Sequence, residues 1–255
     1  MRVLPGVISI LLAFSPSIMA ETLFFDDFED GKVGEEYKFS GKDFPQSMIQ
    51  GKPVWEEKEG VFSQTSTDQG DPCHAVIADK EYPEVLTIQA KVRIDKWADG
   101  DGARGGVALR VEIPAGEGYN LLFHNTKSTL QFLHDRISWG KSMTFNFDVG
   151  KWYWFQLHID KDGTLHGKVW ADGEPEPKDW MLEQNVQELG APIREKGYPA
   201  LNGGVGGRPG EVTISFDEVE VWDEGGPSPR SASPGGKLPV CWGRIKRYYD
   251  RSYYR

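Results

Sequence analysis

The stretch GKWYWFQLHIDKDGTLHGKVWADGEPEPKDW, residues 150–180, limits what this chain can fold into more than any other. At a period of two, Tyr153, Phe155, Leu157 and Ile159 fall on one side, with Trp154, Gln156 and His158 on the other. After the Asp-Gly break, Leu165, Val169 and Ala171 share a side, opposed by His166, Lys168 and Trp170. Two such alternating runs around a turn signal predict a β-hairpin with one apolar and one polar-aromatic face. Matching the apolar sides sets Ile159 against Leu165. Lys161, Asp162 and Gly163 then form the loop, with Gly163 at the left-handed position after a type I turn. The same register sets His158 against His166 and Trp154 against Trp170. So many rings on a non-core face make the hairpin the first candidate for function.

Strand-like runs punctuated by Gly, Asp and Pro recur elsewhere: Thr22–Asp26, then Pro53–Glu57 and Val61–Thr65 around Glu59-Gly60, His74–Ala78 and Val85–Ile94. Gly106–Ile113, Tyr119–His124, Thr129–Arg136 and Ser142–Phe147 precede the hairpin, and Glu211–Trp222 closes the series. Asp179–Leu189 reads equally as a short helix or a loop. Strands joined by short turns, with no strand–helix alternation, predict an all-β, two-sheet antiparallel jelly-roll sandwich. The Gly-rich run from Asn202 to Gly210 lacks the Lys-Ser/Thr ending of a phosphate loop and has no helix behind it. It reads as tight packing of a strand or as a crossover loop.

The ends differ from this middle. Met1-Arg2, the apolar run Val3–Phe14 and the polar close at Ala20 have the form of a cleaved signal peptide, too short for a bilayer span. The expected organisation is a signal peptide over 1–20, one domain over 21–224 and a tail over 225–255. The tail begins as GPSPRSASPGGK and ends basic and tyrosine-rich, a composition that predicts disorder. Docking of Trp242 and its basic neighbours onto anionic polysaccharide, envelope or nucleic acid is the alternative reading of that tail. Net charge is −10, and since the tail is basic the domain is more acidic still, which argues against nucleic acid as its partner. The expected location is outside the cytoplasm, secreted, periplasmic or at the cell surface, with no transmembrane segment. Export would permit a Cys73–Cys241 disulfide, without requiring one.

A series of motifs runs through the chain: Leu23-Phe-Phe-Asp-Asp-Phe, Trp55 before Glu59-Gly-Val-Phe, Thr87-Ile-Gln-Ala-Lys-Val-Arg-Ile and Arg104-Gly-Gly-Val-Ala-Leu-Arg. Gly118-Tyr-Asn-Leu-Leu, Lys151-Trp-Tyr, Gly167-Lys-Val-Trp-Ala-Asp-Gly and Ile214-Ser-Phe-Asp-Glu-Val-Glu-Val complete it. In this order they resemble the concanavalin A-like, laminin G-like jelly rolls of exported bacterial proteins. The resemblance implies a two-sheet jelly roll whose members bind glycans, some as non-catalytic modules and some as glycanases. It also implies pairing of first and last strands, with a structural Ca²⁺ held where they meet. Fold alone does not choose among these roles.

Residues add to this. Ile214 and Phe216 have one parity and Val219 and Val221 the other, so a β-bulge is expected at Asp217–Glu218. Asp27 and Asp217 are the expected side-chain ligands, Ca²⁺ favouring hard oxygen donors. His158 and His166 could hold a transition metal, with His134 or Glu112 as a third ligand. For sugar, Arg110, Glu112, His134, Arg136, Trp154, Gln156, His158, His166, Lys168 and Trp170 are expected on one concave sheet: rings for pyranose faces, polar groups for hydroxyls. A glycosidase needs two opposed carboxylates. The nearest likeness, Glu218-Val-Glu220-Val-Trp-Asp223-Glu224, sits in the closing strand without a third acid in phase. No Ser-His-Asp or Cys-His set can be assembled. The expected function is an exported, non-catalytic glycan-binding or adhesion module partnered by polysaccharide or glycoconjugate. The alternatives are a polysaccharide hydrolase or lyase on the same face and a structural envelope domain for protein contacts.

Overall fold

The computed structural model describes residues 22–43, 54–65, 73–100, 102–190, 196–205 and 212–224. The signal-peptide and tail segments lie outside them, as does Cys241; Cys73 is buried. The strands are β1 (Thr22–Asp26), β2 (Tyr37–Phe39), β3 (Trp55–Lys58), β4 (Val61–Gln64), β5 (His74–Ile77), β6 (Leu86–Lys96), β7 (Ala103–Val111) and β8 (Tyr119–His124). They continue with β9 (Thr129–His134), β10 (Ser138–Thr144), β11 (Trp152–Ile159), β12 (Thr164–Ala171), β13 (Leu182–Asn185), β14 (Tyr198–Val205) and β15 (Thr213–Trp222). Every pairing is antiparallel, in two sheets. The first runs β13-β12-β11-β6-β15-β4-β3, with β1 also on β15; the second runs β10-β9-β8-β7-β14-β5-β2. This is the expected sandwich.

The hairpin register is the one the alternation requires, with Ile159 opposite Leu165, His158 opposite His166 and Trp154 opposite Trp170. Gly163 has φ +83° and donates to Asp160 O at 3.0 Å, closing the loop. Between the sheets, Ile88, Val92, Phe155, Leu157, Phe216 and Val221 of the first meet Val107, Leu109, Leu121, Phe123 and Phe132 of the second. Burying side chains of this size contributes about 1.5–3 kcal/mol each before entropy is counted. Glycine lets the sheets close up at two inward positions. A Cβ at Gly105 would overlap Ile214 Cδ1, and one at Gly167 would come within 2.8 Å of Leu121 Cδ1.

Three strands escape the sequence reading: β2, β13 and β14. Asp179–Leu189 resolves into β13 followed by a 3-10 turn over Val186–Leu189, capped by the Asn185 side chain on Gln187 N. The first part of the Gly-rich run, Asn202–Val205, belongs to β14, and Gly203 faces Ile214. Residues 206–210 lie outside the described residues. Strand β10 begins at Ser138, four residues before the expected start, so Trp139 enters the sheet.

First and last strands pair, and the register of β15 against β6 slips between Asp217 and Glu220, with Glu218 at φ +46°. The expected bulge is therefore present. It divides the far edge of β15: β4 pairs with Ile214–Phe216 and β1 with Val219–Trp222.

Candidate functional site

The polar-aromatic face of the hairpin is closed by its own chain. After β12 the segment 172–181 folds back and lays Trp180 over the histidine pair, with ring centroids 6.1 Å from His158 and 5.4 Å from His166. Lys168 Nζ lies 4.7 Å from the Trp180 ring centre, donates to Pro177 O at 3.1 Å and pairs with Glu176 at 2.5 Å. Trp154 and Trp170 stack on each other at 6.2 Å, and Lys91 sits 5.0 Å over Trp154. Arg93 likewise covers Trp152 at 4.5 Å. A ring must offer an open face to stack on sugar; these faces carry cations or other rings. Gln156 and Lys168 are buried.

Beneath Trp180 the two imidazoles share one carboxylate: His158 Nε2 is 3.0 Å from Asp160 Oδ1 and His166 Nε2 2.7 Å from Asp160 Oδ2. Their outer nitrogens face Thr87 Oγ1 at 2.8 Å and Glu183 at 3.4 Å. Burial pulls the His158 pKa below the ordinary value, against the upward pull of Asp160. Burial raises the Asp160 pKa, but the hydrogen bonds from His166 and His158 outweigh it and hold that carboxyl low. The proposed third metal ligands are elsewhere, since His134 and Glu112 belong to β9 and the turn after β7 in the second sheet. Among the described residues no group of three or more His, Cys, Asp or Glu side chains is placed to hold a metal ion.

The ten residues expected on one concave face are thus divided between two sheets. Trp154, Gln156, His158, His166, Lys168 and Trp170 lie on the first sheet, while Arg110, Glu112, His134 and Arg136 lie on or beside the second. Those last four do not share a face either. Arg110 has φ +52°, a local break in alternation that turns its side chain to the end of the sandwich. There Nη2 donates to Glu84 O at 2.7 Å and to Asp160 O at 3.3 Å, clamping the sheets together. His134 has the parity of Leu130 and Phe132, packs 4.9 Å from the Tyr119 ring and is buried. Arg136 pairs with Glu117 in the adjoining loop, and Glu112 is exposed in the turn after β7.

A different constellation occupies the outer face of the second sheet. Pairing aligns Val76, Ala200, Ala108, Asn120, Leu133 and Trp139 in one row. His74, Asn202, Gly106, Leu122, Gln131 and Ser142 form the next. Val76, Ala108 and Ala200 of the first row pack with Val111 in a small apolar cluster, and a Cβ at Gly106 would strike Leu121 O and the Phe155 ring. Asn120 Nδ2 donates to Asp135 Oδ2 at 2.7 Å and to Leu133 O and Gly118 O at 3.2 Å, which fixes the amide. Its Oδ1 accepts from Asn202 Nδ2 at 2.7 Å and lies 3.2 Å from His74 Nε2. Asp135, fully buried, also accepts from Gly118 N at 3.1 Å and lies 3.5 Å from both Arg104 Nη1 and His74 Nε2.

At the edge of this face stands Trp139, 58% exposed, its ring edge-on to His124 at 4.9 Å and 75°. Gln131 Nε2 donates to Gly140 O at 3.0 Å, so Gln131 Oε1 is turned to accept from His124 Nδ1 at 2.7 Å. Trp139 is therefore supported from below by His124 while its ring stays open to solvent. Alternation over Ser142–Phe147 starts this strand four residues late, and so leaves Trp139 of Ile137-Ser-Trp-Gly-Lys outside it.

Asp217 is half-buried with its carboxyl pushed up to about 6 by burial and by Glu218, with Asp27 adding a smaller push. Asp217 Oδ1 accepts from Glu218 N at 2.8 Å, and Lys91 neutralises part of the cluster through Glu218 at 2.7 Å and Asp172 at 3.6 Å. Hard oxygens short of positive charge suit Ca²⁺, but two carboxylates alone do not fill its shell. Backbone carbonyls of the neighbouring turns would have to supply the remainder.

No family model and no curated protein matches the chain. Among solved structures it is similar to a winged bean acidic lectin complexed with methyl-α-D-galactose, at 11% identity and TM-score 0.54, covering 80% of this chain and 98% of the lectin. A structure from work on endo-acting O-glycanases of the human gut microbiota that initiate mucin breakdown is similar at 17% identity and TM-score 0.53, covering 79% and 98%. A cellulose-induced protein is similar at 14% identity and TM-score 0.51, covering 78% and 96%. At these identities the likeness shows the fold alone, a two-sheet antiparallel β-sandwich.

Proposed function

We propose that this chain is an exported, non-catalytic glycan-binding module of the concanavalin A-like, laminin G-like type, and that Trp139 is its stacking platform. The observation that carries the reading is an indole left open to solvent and held edge-on by the hydrogen-bonded His124–Gln131 pair. Flat apolar surface beside oriented polar groups is what pyranose rings require. Binding is favoured over hydrolysis because Asp135, the carboxylate in the network of this face, is already engaged by Gly118 N, Asn120 and Arg104. A glycosidase needs two carboxylates facing a scissile bond. The lectin and O-glycanase likenesses accommodate either role. Affinity electrophoresis against a polysaccharide panel is expected to retard the protein with no new reducing ends or unsaturated products. Product release would transfer the site to the hydrolase or lyase reading, and binding only to envelope proteins stripped of glycan would favour the structural one. None of the described residues forms a helix long and apolar enough to cross a membrane.

A structural Ca²⁺ at Asp27 and Asp217 is part of the proposal. Without metal, Asp217 has a folded-state pKa of about 6 against an ordinary 3.8. A raised carboxyl contributes stability that is complete below about pH 4 and lost as pH rises through about 6. Asp217→Asn in chelator is therefore expected to raise Tm by about 2–4 °C at neutral pH and to leave it unchanged near pH 4. Added Ca²⁺ should raise the wild-type Tm and leave the variant unmoved. An identical response from both proteins would remove Asp217 from the ligands.

A further inference from the structure

Resting on the reading of Trp139 as a glycan platform, we infer that the ligand is a neutral glycan rather than a uronic-acid or sulfated one. The inference comes from the state of the cations around the platform. Arg104 lies 3.5 Å from Asp135 across the buried network. Arg136, in the turn leading into β10, is paired with Glu117 and donates to Ala115 O. Lys141, two residues beyond Trp139, lies 3.7 Å from Glu188 and donates to Glu183 O at 3.0 Å. An anionic sugar would have to displace a carboxylate of the protein from each to gain a charge-assisted contact, so the exchange yields little net attraction. Lys127, exposed in the turn after β8, carries no ion pair among the described residues and offers at most one screened contact.

The groups that do face the platform are uncharged hydrogen-bonding partners. Gln131 and His124 are buried beneath the ring and satisfy one another and Gly140 O, so they place no charge under a ligand stacked on Trp139. A chain of net charge −10 adds a repulsive field for polyanions. An open indole face whose neighbouring cations Arg104, Arg136 and Lys141 are already engaged suits a neutral pyranose and offers a carboxylate or sulfate no new counter-charge.

The test is affinity electrophoresis of the full chain in gels containing neutral polysaccharides (β-glucan, xylan, galactan, mannan) or anionic ones (alginate, polygalacturonate, a sulfated galactan). Each is run at about 0.05 M and 0.5 M NaCl, a range over which screening of exposed charges becomes strong. Retardation by at least one neutral polymer is expected, with affinity changing less than about twofold across that range. Lys127→Ala should leave that affinity unchanged. Retardation confined to anionic polymers, collapsing with salt and lost in Trp139→Ala, would overturn the neutral assignment while preserving the glycan-binding reading; the same retardation kept in Trp139→Ala would belong to the basic tail and overturn both. Failure of every polymer to retard the protein would overturn both.

Discussion

Asp135→Ala is expected to lower folding stability by about 3–5 kcal/mol, the range for breaking a buried charge pair. That is a large part of the 5–15 kcal/mol typical of a domain. The carboxylate is fully buried, accepts from Gly118 N and Asn120 Nδ2, and stands 3.5 Å from Arg104 and His74. Removing it leaves a guanidinium and an oriented amide buried without their carboxylate, so the loss exceeds the net value of the interactions themselves. Arg104→Met should also destabilise, whereas the double variant Arg104→Met/Asp135→Ala should cost clearly less than the sum, because neither charge is then stranded. Urea denaturation of the four proteins provides the measurement. Additive losses, or a cost for Asp135→Ala below about 1 kcal/mol, would show that Arg104 and Asp135 do not depend on one another.

This dependence on side chains from β5, β7, β8, β14 and the β9–β10 turn shows why the outer face of the second sheet was hard to read. His74, Asn120, Asp135 and Asn202 are far apart in sequence and become neighbours only once the strand order is known. Alternation identified local pairings well. The hairpin register, its Gly163 turn and the bulge at Asp217–Glu218 follow from parity within single segments, whereas the pairing of first and last strands follows only from the resemblance to jelly rolls of this type. Parity says which residues share a side of one strand, not which strands share a sheet. Trp154 and His134 were therefore expected together although they lie in different sheets. Alternation failed at Arg110, where φ +52° reverses the side on which the chain continues. It also gave no warning that residues 172–181 would return to cover a sheet face. Glu176 and Trp180 read as loop until they are seen against Lys168 and the histidines.

Trp139→Ala and Trp180→Ala should separate the binding face from the covered one. Trp139 is 58% exposed and its ring touches His124 only edge-on, so its removal should change stability by less than about 1 kcal/mol. Glycan affinity should nevertheless fall at least about 30-fold, the loss expected when an aromatic anchor worth 2 kcal/mol or more is truncated. Trp180 has the opposite position: half-buried, stacked on His158 and covering His166 while Lys168 lies over its ring. Its truncation should cost about 2–3 kcal/mol, less than the roughly 3–5 kcal/mol for a fully buried aromatic because the ring is only partly enclosed. It should also expose the Asp160-bridged histidines to water. Affinity measured well below the lowered Tm should stay at the wild-type value, since the two faces belong to different sheets separated by the core. Isothermal titration with the polymer found by electrophoresis, paired with thermal denaturation, gives both readouts. Loss of binding in Trp180→Ala with retention in Trp139→Ala would place the site on the hairpin, on the surface that the strap 172–181 covers.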